Sequence, residues 1–203
     1  MKRLLLCFAV LALAACSSPT PTPTPDPTAT VAAPIEFNQE LHDELIAMFD
    51  RDQAGRFGGE DTEGDQRRTE RLGEIVAEFG WPGISLVGED GEDAAWTIAQ
   101  HSDLDPDDQA RFLEELRGAA ERGEASLGNL AYLEDRVAAG KGQPQTYGTQ
   151  VGCGPDGPVP ATPIRDEAGV EQRRAKAGLE PLADYLAEME AICAEEFEDF
   201  DEG

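Results

Sequence analysis

"TERLGEIVAEFGWP", residues 69–82, places Leu72, Ile75, Val76 and Phe79 on one face of a helix and then closes with Gly80 and Pro82. The spacing is helical, and the stop is sharp. The flanking sequence repeats the pattern. "NQELHDELIAMFDRDQAGR" (38–56) carries Leu41, Leu45, Met48 and Phe49 at the same period, and "EDAAWTIAQHS" (92–102) reads as a third helix. Asp105 caps a fourth, with Pro106 in its first turn and Asp108 at the capping-box position.

The fifth helix is "LGNLAYLEDRVAAG" (127–140), ended by Gly140. After it "QTYGTQVGCGPDGPVPATPI" (145–164) alternates and turns at "GPDG", which predicts a short hairpin. "DEAGVEQRRAKAG" (166–178) is a helix capped by Asp166 and ended by Gly178, and "PLADYLAEMEAICAEEF" (181–197) is the last. The fold expected over residues 36–197 is therefore mainly α, a single helical domain with a small β-hairpin insertion. That length suffices for an independent core.

The amino terminus has a different composition. "MKR" is a basic start, "LLLCFAVLALAA" an apolar run too short to span a bilayer as a helix, and Cys16 follows directly. "LAAC" (13–16) resembles the bacterial lipobox, which makes residues 1–15 a lipoprotein signal peptide and Cys16 the lipidated residue. An ordinary secretory signal with an incidental cysteine is the other reading. Residues 16–35 carry alternate prolines from Pro19 to Pro27 and no apolar run, a disordered Pro/Thr linker. In polyproline II form it spans roughly 50 Å. The protein expected is exported and anchored by lipid to the cell membrane or outer membrane, with its domain in the periplasm or at the cell surface.

Charge narrows the partners. The formal net charge is −26, and loss of Lys2 and Arg3 with the signal makes it more negative. Such a surface repels nucleic acid, and no basic cluster relieves it. Residues 198–203 form an acidic tail, read as a solvated terminus. The domain holds two cysteines, Cys153 and Cys193. Outside the cytoplasm they pair as a disulfide across about forty residues, or else remain buried thiols.

No familiar catalytic signature is present. Gly152, Gly154 and Gly157 mimic a dinucleotide fingerprint, but Pro155 interrupts it and no helix follows. "DLDPDDQARFLE" lacks the glycine of a calcium loop and reads better as a helix start. The histidines, His42 and His101, stand in no zinc spacing. No metal and no cofactor are expected.

Polar residues instead extend the inward apolar stripes. Asp52 lies four after Met48, Gln53 four after Phe49, and Arg56 four after Asp52. His101 follows Ile98 by three and Ala94 by seven. Asp135 follows Ala131 by four, with Arg136 beside it. Ion pairs at helix ends explain each singly, contributing only about 0.3 kcal/mol where exposed. Taken together, with the uncharged "GQPQTYGTQ" (142–150) nearby, they point to a polar pocket. In it Gln53, Arg56, His101 and Asp135 are closed over by a strand that puts Gln145, Tyr147 and Thr149 on one face and Thr146 and Gln150 on the other.

Several stretches together resemble a widespread, mostly bacterial family catalogued as a domain of unknown function. The resemblance covers about residues 45–186. Its marks are Asp52, Gln53 and Arg56; Gly80, Trp81 and Pro82; Gln100 and His101; Asp135 and Arg136; Gln145, Tyr147, Gly148, Thr149 and Gln150; and Arg173 and Arg174. "GCG" (152–154) departs from it, which would make a disulfide at Cys153 a local addition. The family implies no activity.

Two function classes follow. In the first, the domain is an envelope hydrolase or transferase with His101 and Asp135 catalytic. Gln53, Arg56, Gln100, Arg136, Gln145, Tyr147, Thr149, Gln150 and Arg173 then bind a small molecule or peptide, the arginines holding an anionic or carbonyl group. In the second, the same groups form a non-catalytic cell-surface binding module for a sugar, peptide or protein. A half-exposed His101 in a concave site favours the first; a buried histidine with both nitrogens satisfied favours the second.

Overall fold

The structure is a computed structural model that describes residues 35–155 and 157–201. The predicted signal peptide, Cys16 and all of the linker but Ile35 lie outside these residues. Among the described residues no helix is long and apolar enough to cross a membrane.

Helix α1 (Gln39–Arg56) starts at Asn38, whose side chain accepts from Leu41 N at 3.1 Å. Helix α2 (Asp65–Phe79) ends at Gly80, as its sequence predicts. Its last residue, Phe79, is exposed rather than inward, because the helix stops before a neighbour can cover it. Helix α3 (Ile84–Gln100) begins eight residues earlier than the periodicity suggests. A turn follows Pro82, and the chain then bends at Gly88, whose φ of 80° lies in the left-handed region open to glycine. Helix α4 (Pro106–Glu121) has Asp105 as its cap, and α5 (Leu127–Gly140) has Ser126 as its own.

These five helices make the core. Leu41, Leu45 and Met48 of α1 meet Ala94, Ala95, Ile98 and Ala99 of α3, whose small side chains admit close approach. Leu72 and Ile75 of α2, Phe112 and Leu116 of α4, and Leu133 of α5 complete it. Each fully buried aliphatic or aromatic side chain contributes about 1.5–3 kcal/mol.

The hairpin is shorter than expected. Strand β1 (Val151–Gly154) pairs antiparallel with β2 (Gly157–Pro160), Gly152 opposite Val159. Residues 145–150 are not a strand; only Gln145 forms an isolated bridge, to Ile164. A 3-10 turn (Glu167–Gly169) leads into α6 (Val170–Lys176), and α7 (Leu182–Asp201) runs past the predicted boundary at 197. Asp166 is no side-chain cap. Its backbone is left-handed (φ 47°), and its side chain and carbonyl accept from Arg173. Cys153 on β1 and Cys193 on α7 are bonded, tying hairpin to last helix.

Candidate functional site

The polar extensions of the apolar stripes converge in two places. At the first, the carboxyl ends of α1 and α3 meet the amino end of α2. Asp52 is buried and sits on the same stripe as Leu41, Leu45 and Met48. Its oxygens accept from Gln53 Nε2 (2.7 Å), Arg56 Nη2 (3.0 Å) and Arg56 Nε (3.1 Å). They also stand 2.8 and 3.0 Å from His101 Nδ1. Arg56 Nε is 3.0 Å from the same nitrogen. Arg56 Nε–H is thus shared between Asp52 and Nδ1. The tautomer in which Nδ1–H donates to the Asp52 carboxylate is the one that leaves Nε2 with its lone pair.

His101 is held between exposure and burial, with 23 % of its side chain open. Among the described residues Nε2 has no hydrogen-bond partner. Burial lowers the imidazole's affinity for a proton, and Asp52 only partly restores it, so the group titrates below its ordinary 6.5. Burial would likewise push the Asp52 carboxyl up. Arg56 and His101 outweigh that, and the carboxyl ends below its usual range. At neutral pH the pair is a carboxylate and a neutral imidazole.

Behind the pair lies Arg68. Its guanidinium is buried, bidentate on Asp61 at 2.9 and 2.8 Å and bonded to Asp65 at 2.7 Å. Among the described residues its Nε has no partner, and it lies 3.7 Å from Asp52 Oδ1. Thr69 Oγ1 donates to Ser102 Oγ at 2.9 Å, joining α2 to the end of α3.

The second place is the "QTYGTQ" turn, which is where Asp135 goes. Fully buried, Asp135 accepts from the backbone N–H of Thr146 (2.6 Å), Tyr147 (3.1 Å) and Thr149 (3.0 Å), and from Thr149 Oγ1 (3.1 Å). The carbonyls of the same turn are taken as firmly. Arg173 Nε donates to Thr146 O at 2.7 Å, Arg174 Nη1 to Tyr147 O at 2.9 Å, and Tyr185 Oη to Thr149 O at 2.7 Å. Gln145 is buried and brackets the turn, accepting from Gln150 N at 2.8 Å and donating to Gln150 O at 2.9 Å. Gly148 is needed twice over: φ is 72°, and a Cβ there would lie 2.5 Å from Ile164 Cδ1. The uncharged stretch is thus a backbone turn held by buried side chains, and Gln145, Thr146, Thr149 and Gln150 are all buried instead of alternating.

Beside the turn lies a groove of about 420 Å³ lined by Asp103, Gln109, Arg136, Gly140, Gln150 and Gly152, among others. Arg136 forms an ion pair with Asp103 and donates to Gln150 Oε1 at 3.1 Å. Gln100, one residue before His101, is buried and its Oε1 has no partner. Arg136 links the two places, from Asp103, two residues after His101, to Gln150 in the turn. Among the described residues no side-chain hydrogen bond runs directly from Asp52, Gln53, Arg56 or His101 to Asp135 or the turn. Gln53, Arg56 and His101 therefore stand together with Asp52. Asp135, Gln145, Tyr147, Thr149 and Arg173 stand apart from them, around the turn. The residues expected in one pocket fall into two hydrogen-bonded groups, because the turn takes Asp135 for its own N–H groups.

A family model described as "Family of unknown function (DUF6624)" matches residues 39–195. The chain belongs to this family. No curated protein matches it, and no solved structure does.

In this DUF6624 domain the sequence reading missed Arg68, Asp61, Asp65 and Glu92, and gave Arg174 only as a family mark with no role. Arg68 carried the same signal as Asp52, lying four before Leu72 and seven before Ile75 on the α2 stripe. Glu92 is buried on α3 with Trp81 Nε1 and Asn129 Nδ2 each 3.1 Å from its oxygens. Burial raises its carboxyl to about 7, Trp81 and Asn129 opposing that only in part. Its signal was the spacing to Ala95 and Ala99, three and seven residues on.

Proposed function

We propose that the protein is a lipid-anchored envelope hydrolase or transferase in which His101 is the general base and acid and Asp52 orients it. The observation that carries this reading is the buried Asp52 carboxylate on His101 Nδ1, with Nε2 left unpartnered and partly open. A base with a proton affinity somewhat below 6.5 is neutral and available at physiological pH. Nε2 removes a proton from water or an acceptor hydroxyl as that oxygen attacks a carbonyl carbon. The imidazolium so formed is stabilised by Asp52 and returns the proton to the leaving group. With no side-chain hydroxyl or thiol hydrogen-bonded to Nε2 among the described residues, the attacking oxygen comes from water or the acceptor.

The test uses p-nitrophenyl acetate as a generic activated ester. His101→Ala should lower the hydrolysis rate about 10²–10⁴-fold, and Asp52→Asn should lower it and distort its pH profile. Equal rates in all three proteins would sink the reading. Anchoring is tested separately: lipid label should enter the wild type and not the Cys16→Ala variant.

A non-catalytic binding module is the second reading. It is favoured by the groove beside Arg136 and Gln150, which can accommodate a small polar ligand without His101 taking part.

A further inference from the structure

The inference concerns what the Asp52–His101 site admits, and it rests on the reading above. Four carboxylates make up the cluster: Asp52 of the pair itself, with Asp61, Asp65 and Asp103. Three guanidiniums answer them, and each is already engaged. Arg56 is held at 3.0 Å by both Asp52 and Asp65, Arg68 by Asp61 and Asp65, and Arg136 by Asp103. With His101 neutral, the cluster has one more negative than positive charge. Arg56 is the most exposed guanidinium touching the pair. Turning it toward an incoming anion would leave the buried Asp52 with one fewer donor, which is costly in a low-dielectric site.

The surroundings repeat the sign. The segment after His101 exposes Asp103, Asp105 and Asp107, and the segment after Arg56 exposes Glu60 and Asp61. The exposed Arg67 precedes Arg68 on α2. Helical geometry turns it about 100° from the side that faces Asp52. On a chain whose formal charge is −26, the field at this opening attracts cations and repels anions. The arginines therefore serve the carboxylates and do not clamp an anionic group.

Two large exposed apolar side chains lie close to the pair along the chain. Phe57 directly follows Arg56 and is 85 % exposed; Leu104 follows His101 by three and is 75 % exposed. Neither belongs to the core. A bare aromatic ring amid carboxylates offers its face to a cation.

We propose that the site takes an amphipathic cation, a substrate bearing an ammonium or guanidinium group beside an alkyl or aryl group. The carboxylates at the opening select the charge, and Phe57 and Leu104 cover the apolar part.

Backbone amide shifts of the ¹⁵N-labelled full chain, read at Phe57, His101 and Leu104, test this with three probes of equal alkyl length. These are hexyltrimethylammonium, hexanol and hexanesulfonate. At low salt the ammonium should bind at least about tenfold more tightly than the sulfonate, and about 0.5 M salt should erase most of that preference. Phe57→Ala should weaken the ammonium about threefold or more while the His101 imidazole titrates as before. A sulfonate bound as tightly as the ammonium overturns the proposal, and so does the failure of all three to shift these amides. The neutral ester assay reports on the general base alone. Charge preference without hydrolysis would keep the cation site and remove the catalytic reading; hydrolysis without charge preference would do the reverse.

Discussion

The Asp52 carboxylate lies 2.8 Å from Nδ1 of His101, although the two residues are 49 positions apart and on different helices. Each continues an apolar stripe, so packing α1 against α3 brings the two together without a dedicated loop. Asp52→Asn replaces a carboxylate that accepts from every side with an amide that must also donate. The Nδ1–H tautomer should then be lost in part, and the His101 pKa should fall further, because the Asp52 charge is what sustains it against burial. Long-range ¹⁵N–¹H correlation of the imidazole reads both. The variant should also lose about 1–3 kcal/mol, since Arg56 is left short of a partner. An unchanged tautomer and titration would show that Asp52 does not orient His101.

Asp135 gives the opposite expectation. Three backbone N–H groups and one hydroxyl converge on it inside the protein, so Asp135→Asn sets an amide donor against donors. The loss should be roughly 3–5 kcal/mol by chemical denaturation. His101→Ala, at a part-open position, should lose about 1 kcal/mol or less. Equal losses in the two variants would remove the distinction between a residue of the fold and a residue of the site.

Much of the fold was legible because helices announce themselves by period and punctuation. The cap Asp105 and the stops Gly80 and Gly140 lie where one sequence rule applies at a time. The site was half legible. Asp52 and His101 betray themselves as polar residues on inward stripes, and Arg68 would have done so by the same rule. The "QTYGTQ" turn was misread because alternation along a chain says nothing about side chains arriving from α5, α6 and α7. Asp135, Arg173, Arg174 and Tyr185 make that segment a turn, and no local pattern reveals them. Which arginine is free to bind a ligand is likewise a tertiary property. Arg136 looks available in sequence, yet the ion pair with Asp103 occupies it.

The disulfide supports the same region from outside. Cys153 and Cys193 are 40 residues apart, and closing that loop contributes roughly 4 kcal/mol in the chain-entropy model. Reduction, or Cys153→Ser with Cys193→Ser, should lower the melting temperature by several degrees. Hydrogen exchange should quicken in β1 and β2 before it does in α1 or α3, whose packing owes nothing to the bond. A uniform loss of protection across the domain would contradict this assignment.

Glu92 sets the pH dependence. Its carboxyl ordinarily titrates near 4.5 and is raised to about 7 in the folded protein, where burial among α3, Trp81 and Asn129 disfavours the charge. Between those values the folded chain binds more protons than the unfolded one. Its contribution is therefore fully present below about 4.5 and is lost as the pH rises through 7. The span corresponds to roughly 2–4 kcal/mol. Glu92→Gln cannot ionise, and its amide can still accept from Trp81 Nε1 or Asn129 Nδ2. Relative to wild type, the variant should gain stability steadily from pH 5 to pH 8 in urea titrations, with the difference flattening above. A wild-type-minus-variant difference that stays constant over that range would mean that Glu92 remains charged in the fold.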